Sequence, residues 1–442
     1  MADQEIQSNP LDYASAGLGR RAVLMAGVAA MSAGCAGEAT RRAPGPAFDP
    51  RNWGSVRAQF SLTSRYAHFA AFMLAAHPAP VRDAITQYRD ALDSRPQDYG
   101  IGFYDLERSD DTRKAIAGYI GAQPQEVALT DSTTMGLGLV YGGLRLKAGE
   151  EVITTEHDFY SCHEALRLRA ETDGIVIHRV RLYENPATAS ADEIVNRLVR
   201  RITPRTRVLA LTWVHSSTGV KLPLSQISQA VKEINARRGP SRRVLIVVDG
   251  VHGFAAENAS MSDLGADVFI TATHKWLFGP RGTGFVWART DAWPLLRPVI
   301  PSFSRQAWTG TPGPPADLNT PGGYHSFENR WAVPQAVAFH ESIGKAAVAE
   351  RIRSQAVQLK EGLAKLPNVR LVTPTSPELS AGVICCAVNG MEPDAVVQRL
   401  LTKHAISAGS TPYRESFVRF GPSIVTSPDE VERVIKAMAS MR

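Results

Sequence analysis

Two residues that each follow an apolar run have side chains suited to chemistry on an amine. Asp249 comes directly after the run LIVV, where a carboxylate is costly to bury unless a cation accompanies it. Lys275 follows a second apolar run and precedes a glycine-rich turn. An amine desolvated there has a lowered pKa and is free to form a Schiff base. Taken singly, each residue is more often part of an ordinary turn or surface.

Two further polar groups also stand where apolar runs end. The segment DSTT, which includes Thr133 and Thr134, precedes a predicted helix, so its hydroxyls and free N–H groups could bind an anion or only cap the helix. His157 lies in the aromatic-rich segment EHDFY. Its ring could stack on a flat ligand, or it could satisfy a local hydrogen bond.

The elements that must position these residues alternate along the chain from about Glu126. Short apolar strands are predicted with helices between most of them, and the segments are EVALT, EEVITTEHD, IVIHRVRL, RVLALTWV, RRVLIVVDG, ADVFITAT and TGFVWA. This alternation predicts an α/β fold, with a mostly parallel sheet covered on both faces in a three-layer αβα large domain. Ligands collect beyond the carboxyl ends of such strands, so the four groups are expected to meet there.

The later part of the chain is predicted to form a smaller α+β C-terminal domain. A proline- and glycine-dense segment, 309–323, interrupts the alternation, and a helical pattern from Trp331 to about Leu366 follows it. Ser190 and Ser427 each begin a capping box ahead of a predicted helix. The expected divisions are an export signal and linker at 1–45, an N-terminal segment at 46–85, a large domain at 86–308, a connecting loop at 309–330 and a small domain at 331–442.

The N-terminus has the features of an export signal. Arg20 and Arg21 precede a weakly apolar run that is too short to span a bilayer comfortably. An arginine pair followed by such a run resembles a twin-arginine signal, which predicts a periplasmic or otherwise exported protein that meets the export machinery only in transit. Cys35 after Ser-Ala-Gly is weakly indicative of a lipoprotein site, because Ser32 stands where leucine is usual.

The composition excludes several classes of protein. Of 442 residues, 44% are hydrophobic and 21% charged, which is ordinary globular usage and excludes disordered, collagen-like and coiled-coil chains. The net charge of +6 is small for this length, so a nucleic-acid partner is not expected. The four cysteines form no CxxC pair and no Cys/His cluster with zinc spacing, so neither a metal site nor a disulfide framework is expected.

Together the four groups supply what bound pyridoxal 5'-phosphate requires. These requirements are a lysine for the Schiff base, a carboxylate for the ring nitrogen, a phosphate cradle and a stacking ring. An aspartate followed 26 positions later by the lysine of a His-Lys pair is a moderately specific signal for this cofactor.

Over roughly residues 66–442 the chain resembles the class V aminotransferase family of fold-type I pyridoxal-phosphate enzymes. The resemblance is strongest to the isopenicillin N epimerase-like branch, which includes export-signal-bearing pyoverdine-tailoring enzymes. It implies a homodimer with active sites at the subunit interface. It also implies a catalytic set in which Lys275 forms the Schiff base, Asp249 pairs with the pyridinium nitrogen and His157 stacks on the ring.

The resemblance assigns binding roles to six further positions. His252 is implied to contact the ring hydroxyl, and Arg419 to grip a substrate carboxylate. Ser216 is implied to face the cofactor or the substrate. The positions implied to contact the phosphate are Thr133, Thr134 and His274. The pocket walls are expected to include Phe72, Tyr324, His325 and Tyr413.

The chain departs from the family pattern in ways that bear on its chemistry. Asn329-Arg330 replaces the usual Gly-Thr of the neighbouring subunit, so Arg330 is a candidate to contact the partner's phosphate. No cysteine occurs between Ala387 and Arg442, where desulfurases of this fold carry their nucleophile, so a thiol-based desulfurase is not expected.

The resulting hypothesis is a pyridoxal-phosphate enzyme acting at the amino group or Cα of an amino acid or peptide-derived amine, in secondary-metabolite or siderophore tailoring. The named residues do not separate transamination from epimerisation, elimination or oxidative deamination. An epimerase or lyase is therefore one alternative. A non-catalytic protein that binds the cofactor is a second.

Overall fold

A computed structural model describes residues 48–99 and 104–441 of the chain. The predicted export signal and Cys35 lie outside the described residues. In chain order the strands are β1 Ala67–His68, β2 Val127–Thr130, β3 Glu151–Thr155, β4 Val176–Val180, β5 Thr206–Thr212, β6 Leu245–Asp249, β7 Val268–Ala272, β8 Gly284–Ala288, β9 Val369–Leu371, β10 Ile384–Val388, β11 Ile406–Ser407, β12 Gly409–Ser410 and β13 Val418–Phe420.

Helices lie between most of the strands. In chain order they are α1 Trp53–Ala58, α2 Ala79–Ser94, α3 Tyr104–Ile120, α4 Thr133–Gly143, α5 Tyr160–Asp173, α6 Ala191–Arg201, α7 Leu224–Asn235, α8 Met261–Leu264, α9 Arg305–Thr309, α10 Pro315–Leu318, α11 Phe327–Trp331, α12 Val333–Ile343, α13 Lys345–Ala364, α14 Pro393–His404 and α15 Pro428–Ala439.

The largest sheet has seven strands in the order β2-β8-β7-β6-β5-β3-β4. Strand β8 is antiparallel to both its neighbours, and the other pairs are parallel. All seven predicted strands form this sheet, which confirms the predicted α/β class with a mostly parallel sheet. The antiparallel strand β8 follows directly from β7 through the short glycine-rich turn after Lys275, which leaves no room for a crossover helix.

Successive residues of each strand point to opposite faces of the large sheet, and both faces are buried in every strand except the edge strand β4, which is partly exposed. In β5, Val208 and Ala210 pack in one apolar core, with residues of α4 and α5. Leu209 and Leu211 pack in the other core, with residues of α3, α6, α7 and α12. This arrangement explains why the strands are almost continuously apolar rather than alternating in polarity.

The C-terminal part contains a four-stranded antiparallel sheet in the order β12-β13-β10-β9. Its core includes apolar residues of α13, α14 and α15, and the adjacent Cys385 and Cys386 of β10 are both buried. Strand β1 pairs with β11 in parallel, which joins an early segment of the chain to a late one. The predicted domain boundaries stay predictions.

Three local expectations are corrected. The predicted helical pattern from 331 to about 366 forms two helices, α12 and α13, because Gly344 between them has a φ of 94°, which is outside the helical region and is favourable only for glycine. The predicted loop 309–330 contains the short helices α10 and α11. Ser427 begins the predicted capping box, but Ser190 only accepts from Glu193 N–H, because the Glu193 carboxylate pairs with Arg197 at 3.1 Å.

No helix in the described part of the chain has the length and apolar character needed to cross a membrane.

Candidate active site

A cavity of about 290 Å³ lies at the carboxyl ends of the central strands, and we call it the lysine cavity. Strand register aligns those ends, because Thr212 of β5 is opposite Asp249 of β6, and Asp249 is opposite Ile270 of β7. Its lining residues are Phe72, Met73, Ser132, Thr133, Thr134, Phe159, Ser161, Thr212, Ser216, Asp249, Val251, His252, His274, Lys275, Pro412 and Arg419. The structure therefore brings together all the predicted site residues except His157.

Lys275 presents a largely buried amine to this cavity. Its Nζ atom lies 3.3 Å from Nε2 of His252. Burial lowers the pKa of Lys275 to about 8, an effect that the nearby Asp249 carboxylate opposes and the Arg419 guanidinium reinforces. At neutral pH a far larger fraction of this amine is neutral, and hence nucleophilic, than of an ordinary lysine, although most of it is still charged.

Asp249 ends strand β6 and is 3% exposed. Its Oδ1 accepts a hydrogen bond of 3.1 Å from the N–H of Val251. Burial raises the pKa of Asp249 to about 6, and the Val251 hydrogen bond and the charge of Lys275 limit the rise. The next residue must be glycine, because a Cβ atom at Gly250 would overlap the ring of Phe269. The carboxylate is thus a fixed anion at neutral pH that faces a cation.

Several buried polar atoms around the cavity have no hydrogen-bond partner within the protein. They include Nδ1 of His252, Nδ1 of His274 and the hydroxyl oxygen of Thr133. Burial is the main cause that lowers the pKa of both histidines, so both are neutral at physiological pH. Unpaired buried donors and acceptors are costly, and a polar ligand would satisfy them. Together with the amine and the carboxylate, they fit pyridoxal phosphate.

The N-terminus of α4 is placed to receive the phosphate. Ser132 caps the helix by accepting from the N–H of Met135 at 3.1 Å, which leaves Thr133 and Thr134 facing the cavity at the first turn. Asp131, which precedes the helix, forms an ion pair of 3.1 Å with Arg330. Arg330, a candidate for the phosphate of a partner subunit, is therefore engaged within its own chain.

Arg419 enters the cavity from strand β13 and is held by two contacts. Its guanidinium stacks over the ring of Phe72, 4.3 Å from the ring centre, and its Nη1 donates to the carbonyl of Ser216 at 3.2 Å. Its Nε has no partner in the protein. The hydroxyl of Ser216 shares a hydrogen bond of 2.6 Å with the hydroxyl of Tyr413. Arg419 is therefore a preoriented cation with free donors.

His157 lies in a neighbouring cavity, not in the lysine cavity. Its ring stacks on Tyr183, with the ring centres 3.9 Å apart and the planes 11° from parallel. Burial lowers the pKa of His157 to about 3. Phe159, two residues later, is the aromatic residue of this segment that lines the lysine cavity. The predicted stacking of His157 on the cofactor stays a prediction, and the structure makes Phe159 a second candidate for it.

The predicted pocket walls are only partly correct. Phe72 lines the lysine cavity, and Tyr413 adjoins it through Ser216. Tyr324 is instead 79% exposed, and His325 lies 3.4 Å from Asp105. Aromatic character alone does not tell a pocket wall from an exposed side chain such as Tyr324, or from one packed elsewhere such as His325, whose side chain is 7% exposed.

Asp158 is a supporting residue that the sequence interpretation missed. Its buried carboxylate accepts from the Thr154 hydroxyl and the Thr155 N–H, both at 2.7 Å, and from the Thr212 N–H at 2.9 Å. It thereby ties the end of β3 to the end of β5 beside the cavity. The available signal was a carboxylate shortly after an apolar strand, since Asp158 lies three residues beyond the end of β3, whereas Asp249 is the last residue of β6.

Comparison with known proteins agrees with this geometry. The family model of aminotransferase class V matches residues 75–434. The isopenicillin N epimerase of Amycolatopsis lactamdurans is 29% identical over 349 residues, which cover 75% of this chain and 83% of that protein. A probable cysteine desulfurase of Vibrio cholerae is 22% identical over 88% of this chain and 98% of its own length.

Solved structures show the same fold. A variant of C-DES with glycine covalently linked to its PLP cofactor superposes with a TM-score of 0.79 at 20% identity, covering 87% of this chain and 99% of that one. The apo cysteine desulfurase of Thermococcus onnurineus gives a TM-score of 0.73 at 20% identity, with 87% and 97% covered. Because the family model spans most of the chain and the site carries its chemistry, the protein belongs to the aminotransferase class-V family and is a pyridoxal-phosphate-dependent enzyme.

Proposed function

We propose that the enzyme acts at the amino group or Cα of an amino acid or peptide-derived amine, with transamination as the leading reaction. The observation that carries the proposal is the placing of Lys275, Asp249 and Arg419 in one buried cavity. These residues supply a nucleophilic amine, an anion for the ring nitrogen and a cation for a substrate carboxylate.

Different residues of the chain would bind different parts of the cofactor. Lys275 is the amine to which the cofactor would be joined, and Thr133, Thr134 and His274 would hold its phosphate. When bound, pyridoxal phosphate withdraws electrons from the carbon beside the substrate amine. Asp249 would keep a proton on the ring nitrogen, because its carboxylate has a pKa of about 6 in the cavity and is an anion at neutral pH.

The remaining residues position the substrate and move its proton. Arg419 would grip a carboxylate through parallel N–H donors, since its guanidinium is fixed on Phe72. Lys275, once free and neutral, can take the proton from Cα and return it, because its pKa of about 8 is close to neutral. His252 at 3.3 Å is the neighbour that can share a hydrogen bond with this amine.

Epimerisation or elimination is the second candidate, and the relatives named isopenicillin N epimerase favour the former. Both reactions begin with the same proton removal by Lys275. Thiol chemistry of the desulfurase kind has no support from the described cysteines. Cys162, Cys385 and Cys386 are all buried outside the lysine cavity, and burial raises the pKa of each thiol. A binding protein without turnover would not need the full set of reactive groups.

The proposal includes a homodimer and a role in secondary-metabolite or siderophore tailoring. Support for a dimer comes from exposed apolar side chains close to the cavity. Met73 and Phe159 line the cavity, and Leu74 and Tyr160 are the residues that follow them in the chain. Met73, Leu74 and Tyr160 are 55%, 64% and 65% exposed, and exposed apolar patches mark interaction surfaces.

The pH dependence of cofactor capture tests the state of Lys275. Cofactor-free protein mixed with pyridoxal phosphate is expected to gain the absorption of the bound cofactor at a rate that rises with pH with a midpoint near pH 8, because the neutral amine reacts. Asp249→Asn removes the carboxylate that raises this pKa, so the midpoint should move to lower pH. Glu257→Gln, which alters a carboxylate paired with Lys221, should leave it unchanged. A wild-type midpoint near 10.5, the ordinary lysine value, would contradict the assignment.

The reaction type can be read from the cofactor and from hydrogen exchange at Cα. Holoenzyme incubated with pooled amino acids in deuterated water is expected to convert its cofactor to the aminated form and to place deuterium at Cα. Lys275→Ala should slow exchange at least about a hundredfold, since it removes the base, whereas Lys147→Ala should not. Deuterium incorporation without amination would favour the epimerase. A bound cofactor with neither change would favour the non-catalytic protein.

We also propose export by the twin-arginine route, because Arg20 and Arg21 precede the weakly apolar run. This route carries folded proteins, so a cofactor captured in the cytosol could travel with the chain.

The N-terminal sequence offers its own control for this proposal. Replacing Arg20 and Arg21 by lysine is expected to retain the full-length chain in the cytosol on cell fractionation. The same replacement at Arg41 and Arg42, an adjacent pair beyond the apolar run, should leave export intact. Equal extracytoplasmic recovery of both variants would show that the first pair is not the signal.

A further inference from the structure

A second cavity, of about 830 Å³, adjoins the lysine cavity, and we call it the arginine cavity after Arg181, Arg370 and Arg414 in its lining. The same three chain segments, 157–159, 216–218 and 412–419, contribute residues to both cavities. The two spaces therefore share a wall rather than merely lying on the same side of the molecule.

The shared wall contains a direct hydrogen bond between the two linings. Ser216 lines the lysine cavity, Tyr413 lines the arginine cavity, and their hydroxyls are 2.6 Å apart. The carbonyl of Ser216 also accepts from Arg419, the residue proposed to grip the substrate's carboxylate. Only Ser216 and Tyr413 therefore separate a molecule bound to Arg419 from the arginine cavity.

The difference in volume limits what the lysine cavity can hold alone. About 290 Å³ is at the lower end for small-molecule sites, and the cofactor has to share this space with the substrate. A compact amino acid can be accommodated. A long side chain has to leave the lysine cavity, and the arginine cavity is the larger space beyond the shared wall.

Charge distribution indicates what the arginine cavity recognises. Arg181 is engaged by Glu156 at 2.8 Å and Glu184 at 3.4 Å. In contrast, Arg370 and Arg414 form no ion pair with any carboxylate in the described part of the chain, and Arg370 only lies over the ring of Phe417.

One carboxylate in the lining is also without an ion pair among the described residues, that of Glu415. The lining has three arginines and three glutamates, but two of the glutamates, Glu156 and Glu184, both pair with Arg181. Arg370 and Arg414 are thus left beside a single unpaired carboxylate, and a ligand carboxylate suits them because the parallel N–H donors of arginine match its two oxygens.

We infer that the arginine cavity binds a carboxylate at the far end of the substrate, held by Arg370 and Arg414. The substrates are then α-amino acids or amines with an extended chain that ends in one carboxylate, not compact amino acids. This inference rests on the proposed function, since it takes the reacting amine to lie in the lysine cavity.

The test uses holoenzyme and three racemic probes, with binding followed through the absorption of the bound cofactor. N6-succinyl-lysine has the long chain and the carboxylate, N6-acetyl-lysine has a long neutral chain, and alanine has neither. Wild-type protein is expected to bind the succinyl probe about tenfold more tightly than the acetyl probe. Arg370→Ala and Arg414→Ala should each reduce this preference about two- to fivefold, as exposed ion pairs do.

Two further variants sharpen the result. Glu415→Gln removes the unpaired carboxylate and should strengthen binding of the succinyl probe. Arg237→Ala removes an exposed arginine far from the cavity in sequence, at the end of α7, and should change nothing. Alanine should bind equally to all variants, because it does not reach the arginine cavity.

Equal binding of the succinyl and acetyl probes, or a preference that survives in the double variant of Arg370 and Arg414, would overturn the inference while leaving the proposed function intact. A holoenzyme whose absorption responds to none of the three probes would contradict both. A response to alanine alone would show that the enzyme accepts compact amino acids only, which also overturns the inference.

Discussion

The structure depends on holding the amine of Lys275 away from water beside the anion of Asp249. Burial alone does not make a lysine reactive, as a second lysine in the chain shows. Burial also lowers the pKa of Lys360 to about 8, but its amine donates to Pro374 O, Thr375 O and Ser380 Oγ at 3.1, 2.9 and 2.5 Å. Lys275 instead faces a cavity and a single neutral histidine at 3.3 Å. Its amine is desolvated, but hydrogen bonds within the protein do not occupy all its donors, which is the condition for covalent chemistry with a ligand.

The fold produces this condition through the register of a few strands. Parallel strands β5, β6 and β7 end side by side, so residues that follow them meet although they are far apart in sequence. Asp158 ties two of these ends together through backbone N–H groups. The antiparallel sheet of the C-terminal part then contributes Arg419 from β13, which the ring of Phe72 and the carbonyl of Ser216 hold in the cavity. Lys275 and Asp249 therefore follow strands of the large sheet, whereas Arg419, the cation proposed to bind the substrate's carboxylate, comes from the smaller sheet.

The sequence predicted the strands and most of the site because both depend on local pattern. Apolar runs of strand length define the sheet, and a polar residue at the end of such a run must lie at its edge. Which residue of a loop faces a cavity is not a local property. His157 and Phe159 are two positions apart, yet only Phe159 lines the lysine cavity, because the chain has left the strand and lost its regular alternation. The arginine cavity was missed for a related reason, since three segments distant in sequence build its wall and none has a motif of its own.

The central claim is that Lys275 carries the cofactor, and one measurement tests it most directly. Holoenzyme purified with its cofactor is reduced with borohydride, digested and analysed by mass spectrometry. The account predicts that the added cofactor mass is on the peptide that contains Lys275, and that Asp249→Asn leaves the site of attachment unchanged. Attachment to Lys360 or to any other lysine, or recovery of the cofactor entirely free after reduction, would contradict it.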